Sequence, residues 1–152
     1  MPVNELKVYK GSTPCPGDFE MFWERAKEEI NNIDPSIEVI KAEFETEFAV
    51  CFHLYFTGTR GARVHAKYVK SKVVDSPQPA LLMFHGYSCD AGDWFVKLTY
   101  AAAGFSVFAM DCRGQGGLST DPGGVKGNTL SGHIIRGLDD SPDNLYFRQV
   151  FL

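Results

Sequence analysis

The sequence has no uninterrupted apolar run of about 18 residues, so no membrane span is expected. It has no excess of positive charge: 15 Lys and Arg stand against 19 Asp and Glu, a net charge of −4. A nucleic-acid partner would call for a basic face, and none is expected. The four cysteines, Cys15, Cys51, Cys89 and Cys112, form no Cys-x-x-Cys pair, and no histidine sits at zinc-finger spacing. Neither a metal nor a disulfide framework is therefore expected, only four free thiols, two of them buried in strands. The opening residues, Met1-Pro2-Val3-Asn4-Glu5-Leu6-Lys7, carry no apolar leader and no small-residue cleavage site, which points to a cytoplasmic protein.

Also missing is a Gly-x-Ser-x-Gly turn, the device that lifts a nucleophilic serine out of a strand end. Gly86-Tyr87-Ser88-Cys89-Asp90 and Gly117-Leu118-Ser119-Thr120-Asp121 each begin correctly and end in Asp. Gly104-Phe105-Ser106-Val107-Phe108 lies inside a predicted strand. Gly114-Gln115-Gly116-Gly117 is not a dinucleotide fingerprint either. The third glycine is out of place, and Asp121-Pro122 stands where a helix should start. No cofactor is expected. Cys89 as a thiol nucleophile would need a histidine partner, and nothing in the spacing pairs it with His85 or His133.

What is present is globular: 152 residues, 44% hydrophobic, with 15 Gly and 12 Phe, enough for one domain with a real core. Residues 18–30 place Phe19, Phe22, Trp23, Ala26 and Ile30 on one helical face, with Pro16-Gly17 before them and Asp18 at the N-cap. Alternation in Phe48, Val50, Phe52, Leu54 and Phe56 predicts a strand, preceded by another over 37–44. A turn at 57–61 leads to a further alternating strand over 63–70, giving a hairpin with one wet face. His53 and His65 fall in these strands and are expected at the surface or the core edge.

The pattern then changes to continuous apolar runs over 80–84 and 105–110, as in parallel strands buried on both faces. Between them 93–103 reads as a helix, with Asp90 and Asp93 as capping residues and Gly104 as the stop. The fold class is thus α/β: an amphipathic helix, an antiparallel hairpin, then a parallel βαβ unit. A last helix is predicted over 143–152.

Ligands of such sheets bind beyond the carboxyl ends of the parallel strands. His85-Gly86-Tyr87 and Arg113-Gly114-Gln115 occupy those positions. A strand ending in His-Gly before a turn and a helix is how α/β-hydrolases build half of an oxyanion hole from a backbone N–H. By itself His85 reads as a hydrogen-bonding structural residue.

These stretches resemble the acetyl xylan esterase and cephalosporin-C deacetylase family of carbohydrate esterases. The matching residues are Phe19 to Trp23, Phe84-His85-Gly86-Tyr87, Gly92-Asp93-Trp94, Met110 to Gly117, and Gly123 through Asp140. The resemblance implies an α/β-hydrolase fold and the removal of acetyl groups from xylo-oligosaccharides and cephalosporin C. It makes the backbone N–H of Tyr87 an oxyanion donor, with His85, Gly86, Arg113, Gly114 and Gln115 supporting the site. Of the family's three motifs only Arg-Gly-Gln is present, and Gly-x-Ser-Gln-Gly and His-Glu are not. Residues 1–152 are accordingly expected to form one partial domain, the N-terminal half of such an enzyme, inactive alone.

In that fold the nucleophile strand pairs with 80–84, so a bare edge and association are expected, as a homo-oligomer or with a complementing chain. The implied ligand is an acetylated oligosaccharide or a small acetyl ester. The alternatives are a non-catalytic relative that binds acetylated sugar or a protein, and one half of a split esterase.

Overall fold

A computed structural model describes residues 1–73, 77–122 and 133–152. A five-stranded sheet runs in the order Glu38–Glu45 (β1), Ala49–Thr57 (β2), Arg63–Ser71 (β3), Ser106–Met110 (β5) and Ala80–Phe84 (β4). Strands β1 (Glu38–Glu45), β2 (Ala49–Thr57) and β3 (Arg63–Ser71) form an antiparallel meander. Strand β5 (Ser106–Met110) adds to β3 antiparallel, with Lys67 opposite Ala109, and β4 (Ala80–Phe84) adds to β5 parallel, with Leu82 opposite Phe108. Helix α3 (Phe95–Ala102) makes the crossover between β4 and β5.

Two helices begin the chain: the short α1 (Val3–Leu6), which the sequence did not signal, and the 13-residue α2 (Phe19–Asn31). The Asp18 carbonyl accepts the Phe22 N–H at 2.8 Å, but its side chain makes no cap bond. The last predicted helix is split. A 3-10 turn, Pro142–Asn144, capped by Ser141, precedes α4 (Tyr146–Phe151). Trp23 of α2 meets Phe151 of α4 edge to face at 6.3 Å, and Arg148 donates to Glu29 at 2.7 Å, so the last helix docks on the second.

The core lies between the sheet and α3. Ala42, Ala49, Cys51, Val69, Ala101 and Val107 are its buried members, with Leu81, Met83, Trp94 and Leu98 packed around them. Small residues on β2 and β3 let α3 approach this face closely.

Two sequence expectations are corrected here. The hairpin was expected to have one wet face. Instead neither row of β2 is fully exposed: Ala49 and Cys51 are buried, and Phe52 through Thr57 are all half-exposed, the Phe52-Leu54-Phe56 and His53-Tyr55 rows alike. Alternation identifies two faces but cannot tell which one another element will cover. Strand β4 was expected to be buried on both faces, yet Leu82 is 62% and Phe84 65% exposed. Only Leu81 and Met83 face α3's side, and β4 is an edge strand with no second neighbour among the described residues. Of the four free thiols, Cys51 is buried in β2 and Cys112 just beyond β5, while Cys15 and Cys89 are exposed.

Candidate functional site

Both sequence-predicted segments leave the carboxyl ends of the parallel strands, and the structure brings them together. Directly after β4, His85 accepts the Cys112 backbone N–H at Nε2 (2.9 Å) and donates Nδ1–H to the Gly86 carbonyl (2.8 Å). It therefore joins the ends of β4 and β5 as a neutral ring, the structural role read from the sequence. Gly86 and Tyr87 continue from it as exposed residues, and a side chain at Gly86 would meet open space.

Gln115 is buried and its Oε1 accepts the Ser88 N–H at 2.7 Å. Ser88 has φ of 62°, a left-handed conformation that a side chain disfavours and that this bond helps to hold. Arg113 is buried too. It donates to the Thr59 carbonyl (2.8 Å) and hydroxyl (3.0 Å), and its Nε and Nη2 reach Asp121 at 3.1 and 2.7 Å. Arg136 donates to the same carboxylate, while the Arg113 carbonyl accepts the Tyr146 hydroxyl at 2.5 Å. Burial would raise the Asp121 pKa, but hydrogen bonds from Arg136 and Arg113 outweigh it and hold the carboxyl below its ordinary range. Gly114, also buried, links the two. A cavity of about 620 Å³ lies beside these groups, bounded by His85, Tyr87, Arg113 and Gln115 on one side and by Phe147 and Phe151 of α4 on the other.

The centre beneath both loops was missed in the sequence. Asp111 follows directly after β5 with its side chain buried. Its Oδ1 accepts the Ala91 N–H (2.6 Å), and its Oδ2 accepts the Leu118 N–H (2.9 Å) and His65 Nδ1–H (2.6 Å). The backbone closes a second circuit. The Ser119 hydroxyl donates to the Asp111 carbonyl (2.6 Å) and accepts the His65 N–H (2.8 Å), while Asp111 N–H donates to the His65 carbonyl (2.9 Å). One carboxylate thus holds the loop after β4, the loop after β5 and strand β3 together. Burial acts to raise its pKa, and the bonds from His65, Leu118 and Ala91 overcome this, so the net direction is down.

His65 is fully buried, against the expectation of a surface or core-edge residue. The signal available was the alternation, which puts His65 and Lys67 on the same strand face as Val69. The partner that makes His65 necessary lies 46 residues further on.

Two glycines fit this centre. A Cβ at Gly117, whose φ is 86°, would lie 2.3 Å from the Asp111 carboxyl carbon, and one at Gly116 would lie 2.7 Å from the Cys89 carbonyl oxygen. The Gly-rich turn is therefore shaped around a carboxylate, not around a phosphate. Asp93 caps α3 as expected, accepting the Phe95 N–H at 2.8 Å, while Asp90 instead closes a short turn onto the Gly92 N–H at 2.6 Å. Cys89 is exposed, and the resemblance stretch over 123–132 lies outside the described residues.

The family model for acetyl xylan esterase (AXE1) matches residues 1–152. The chain belongs to the acetyl xylan esterase family. Among solved structures it resembles acetyl xylan esterase 1 from Thermoanaerobacterium sp. JW/SL YS485, with 58% identity and a TM-score of 0.90 over 99% of this chain. It also resembles the acetyl xylan esterase from Paenibacillus sp. R4, with 30% identity and a TM-score of 0.85 over 100% of this chain. The match covers 47% and 49% of those two chains, so this member of the family spans about half their length. The mixed sheet with its leading helix matches the corresponding part of the acetyl xylan esterase fold.

Gly117→Ala should be the most damaging single-methyl change in the two loops, because the added carbon falls on the Asp111 carboxylate and φ is positive. We expect a loss of about 3 kcal/mol in urea unfolding, against under about 1 kcal/mol for Gly86→Ala, which points into open space. The lowered Asp111 pKa means that its contribution is complete above the unfolded carboxyl value, near pH 4, and disappears as pH falls through the lower folded value. In Asp111→Asn the stability curve should lose that acid slope.

Proposed function

We propose that this chain supplies the oxyanion-donor side and supporting scaffold of a serine esterase. Its substrates would be acetylated xylo-oligosaccharides or small acetyl esters, cephalosporin C among them. Nucleophile, base and acid would come from polypeptide outside these 152 residues, since no Gly-x-Ser-x-Gly occurs within them. The Tyr87 N–H is the donor in this reading. The observation that carries it is the bond from Ser88 N–H to Gln115 Oε1, which ties the His85-Gly86-Tyr87 turn to the Arg113-Gly114-Gln115 turn. An oxyanion donor works by being held in place before charge develops, and a buried glutamine fixing the adjacent peptide does that.

His85, Arg113 and Gly114 support the same turn at one remove. His85 fastens the two strand ends, Arg113 anchors the second loop to Thr59 and Asp121, and Gly114 links Arg113 to Gln115. Family membership supports the reaction class, and the cavity beside Tyr87 supports the location.

The chain alone should show no saturable hydrolysis of p-nitrophenyl acetate. Mixed with a polypeptide carrying the half of the Thermoanaerobacterium enzyme that the chain does not cover, it should gain turnover that a serine-directed inhibitor abolishes. Gln115→Ala should lower that turnover by roughly tenfold to a hundredfold, the scale of a misplaced oxyanion donor. Inhibitor-sensitive turnover by the chain alone would contradict the proposal. Tight binding of an acetylated oligosaccharide by the chain alone, with no gain on mixing, would favour a non-catalytic binder.

The exposed edge of β4, with Leu82 and Phe84 bare beside it, supports an associated working state, as a homo-oligomer or with a complementing chain. Light scattering of the purified chain should give a mass above 16.9 kDa. A stable dilute monomer would contradict this.

A further inference from the structure

The buried Asp111–His65 pair does not end at His65. The far nitrogen of that ring, Nε2, lies 2.8 Å from Nδ1 of His53 on the neighbouring strand, with the rings 5.1 Å apart. The three side chains form one continuous line: carboxylate, buried imidazole, half-exposed imidazole.

The proton positions along this line follow from the partners. Asp111 accepts three N–H donors and so is ionised. His65 must therefore carry its proton on Nδ1, and in the neutral ring Nε2 is a bare acceptor. His53 must then donate from Nδ1, which leaves its own Nε2 as the free lone pair of the line.

We propose that Asp111, His65 and His53 act as a one-proton relay, a pH-sensitive latch that grips the loops after β4 and β5 and takes up its proton through His53 Nε2. The first proton adds at that nitrogen and breaks no hydrogen bond. The Nδ1 proton of His53 can then pass to His65 Nε2, which places an imidazolium against the Asp111 carboxylate and leaves His53 neutral. A second proton has no such place. Two cationic rings would turn N–H toward N–H, and the 2.8 Å link would open.

The surroundings decide how readily the first proton enters. From β3, His65 and Lys67 face His53, and from the end of β5, Asp111 does. From the entry to α3, the Trp94 ring packs edge-on at 5.3 Å, with the Lys67 ammonium over its outer side. The buried Lys97 of α3 is bonded to the Ala91 and Asp93 carbonyls. On β1, Ile40 stands opposite His53, and Glu38, further along, is paired with Arg63. Burial first, then His65 and Lys67, push the His53 pKa below its ordinary value, and Asp111 pulls the other way. With a lowered folded pKa, the neutral line stabilises the fold above the unfolded histidine value, near pH 6.5. That stability is lost as pH falls through the folded value.

The test is long-range proton–nitrogen NMR of the full chain labelled in its histidine rings. At pH 8 both rings should show the Nδ1–H tautomer. On acidification the nitrogens of His53 and His65 should move along one shared curve for the first proton. The Ala91 and Leu118 amide signals, whose acceptor is the carboxylate facing that imidazolium, should shift with it. In His53→Phe the shared curve should vanish, and the His65 Nε2 signal at pH 8 should move to the position of a nitrogen that has lost its N–H donor. Independent curves for the two rings in the unaltered chain, or an Nε2–H tautomer at His53 at pH 8, would overturn the proposal without any variant being made.

Discussion

The arrangement of this chain depends on a buried carboxylate at the end of β5. Asp111 has charge that burial opposes, and it is kept by three N–H donors from three different parts of the chain. Each donor to a charged acceptor contributes about 1.5–3 kcal/mol, and leaving the donors unpaired would cost a similar amount. That is why the loops on either side, which contain little apolar surface of their own, can take one conformation. It is also why Gly117 must be a glycine and why a fully buried histidine sits in β3.

The groups closer to the cavity depend on that frame. Gln115 reaches Ser88 from a loop whose Arg113 is fixed between Thr59 and Asp121, and Arg113 stands two residues beyond Asp111. Two buried acid–base clusters therefore share one loop, one centred on Asp111 and one on Asp121. Neither touches substrate in this account. They make the backbone around Tyr87 rigid, which is the property an electrostatic catalyst needs from its scaffold. The opposite side of the sheet is different in kind. Leu82, Phe84 and the Phe52 row have no comparable frame above them among the described residues.

The local order of the fold was legible in the sequence. The continuous apolar runs gave β4 and β5, and the stop at Gly104 gave the end of α3, because these are short-range signals. The positions of Arg113, Gln115 and His85 beyond the strand ends were also legible, from the apolar runs that precede them. The Asp111 centre was not, since His65, Ala91 and Leu118 are far apart in sequence and two of the three contribute only backbone N–H groups, which every residue has. The wet face expected of the hairpin fails for a related reason. Phe52, Leu54 and Phe56 are the more apolar row, yet α3 packs on the row with Ala49 and Cys51, where small side chains admit a helix.

The most direct measurement of the central claim is native-state hydrogen exchange at the Ala91 and Leu118 amides, read beside the β3–β5 ladder amides. If Asp111 is the interaction that holds both loops, the two loop amides should exchange slowly and together, with opening free energies approaching those of Lys67 and Val69 in the ladder. Exchange of either amide at the rate of an open loop, while the ladder stays protected, would contradict the account.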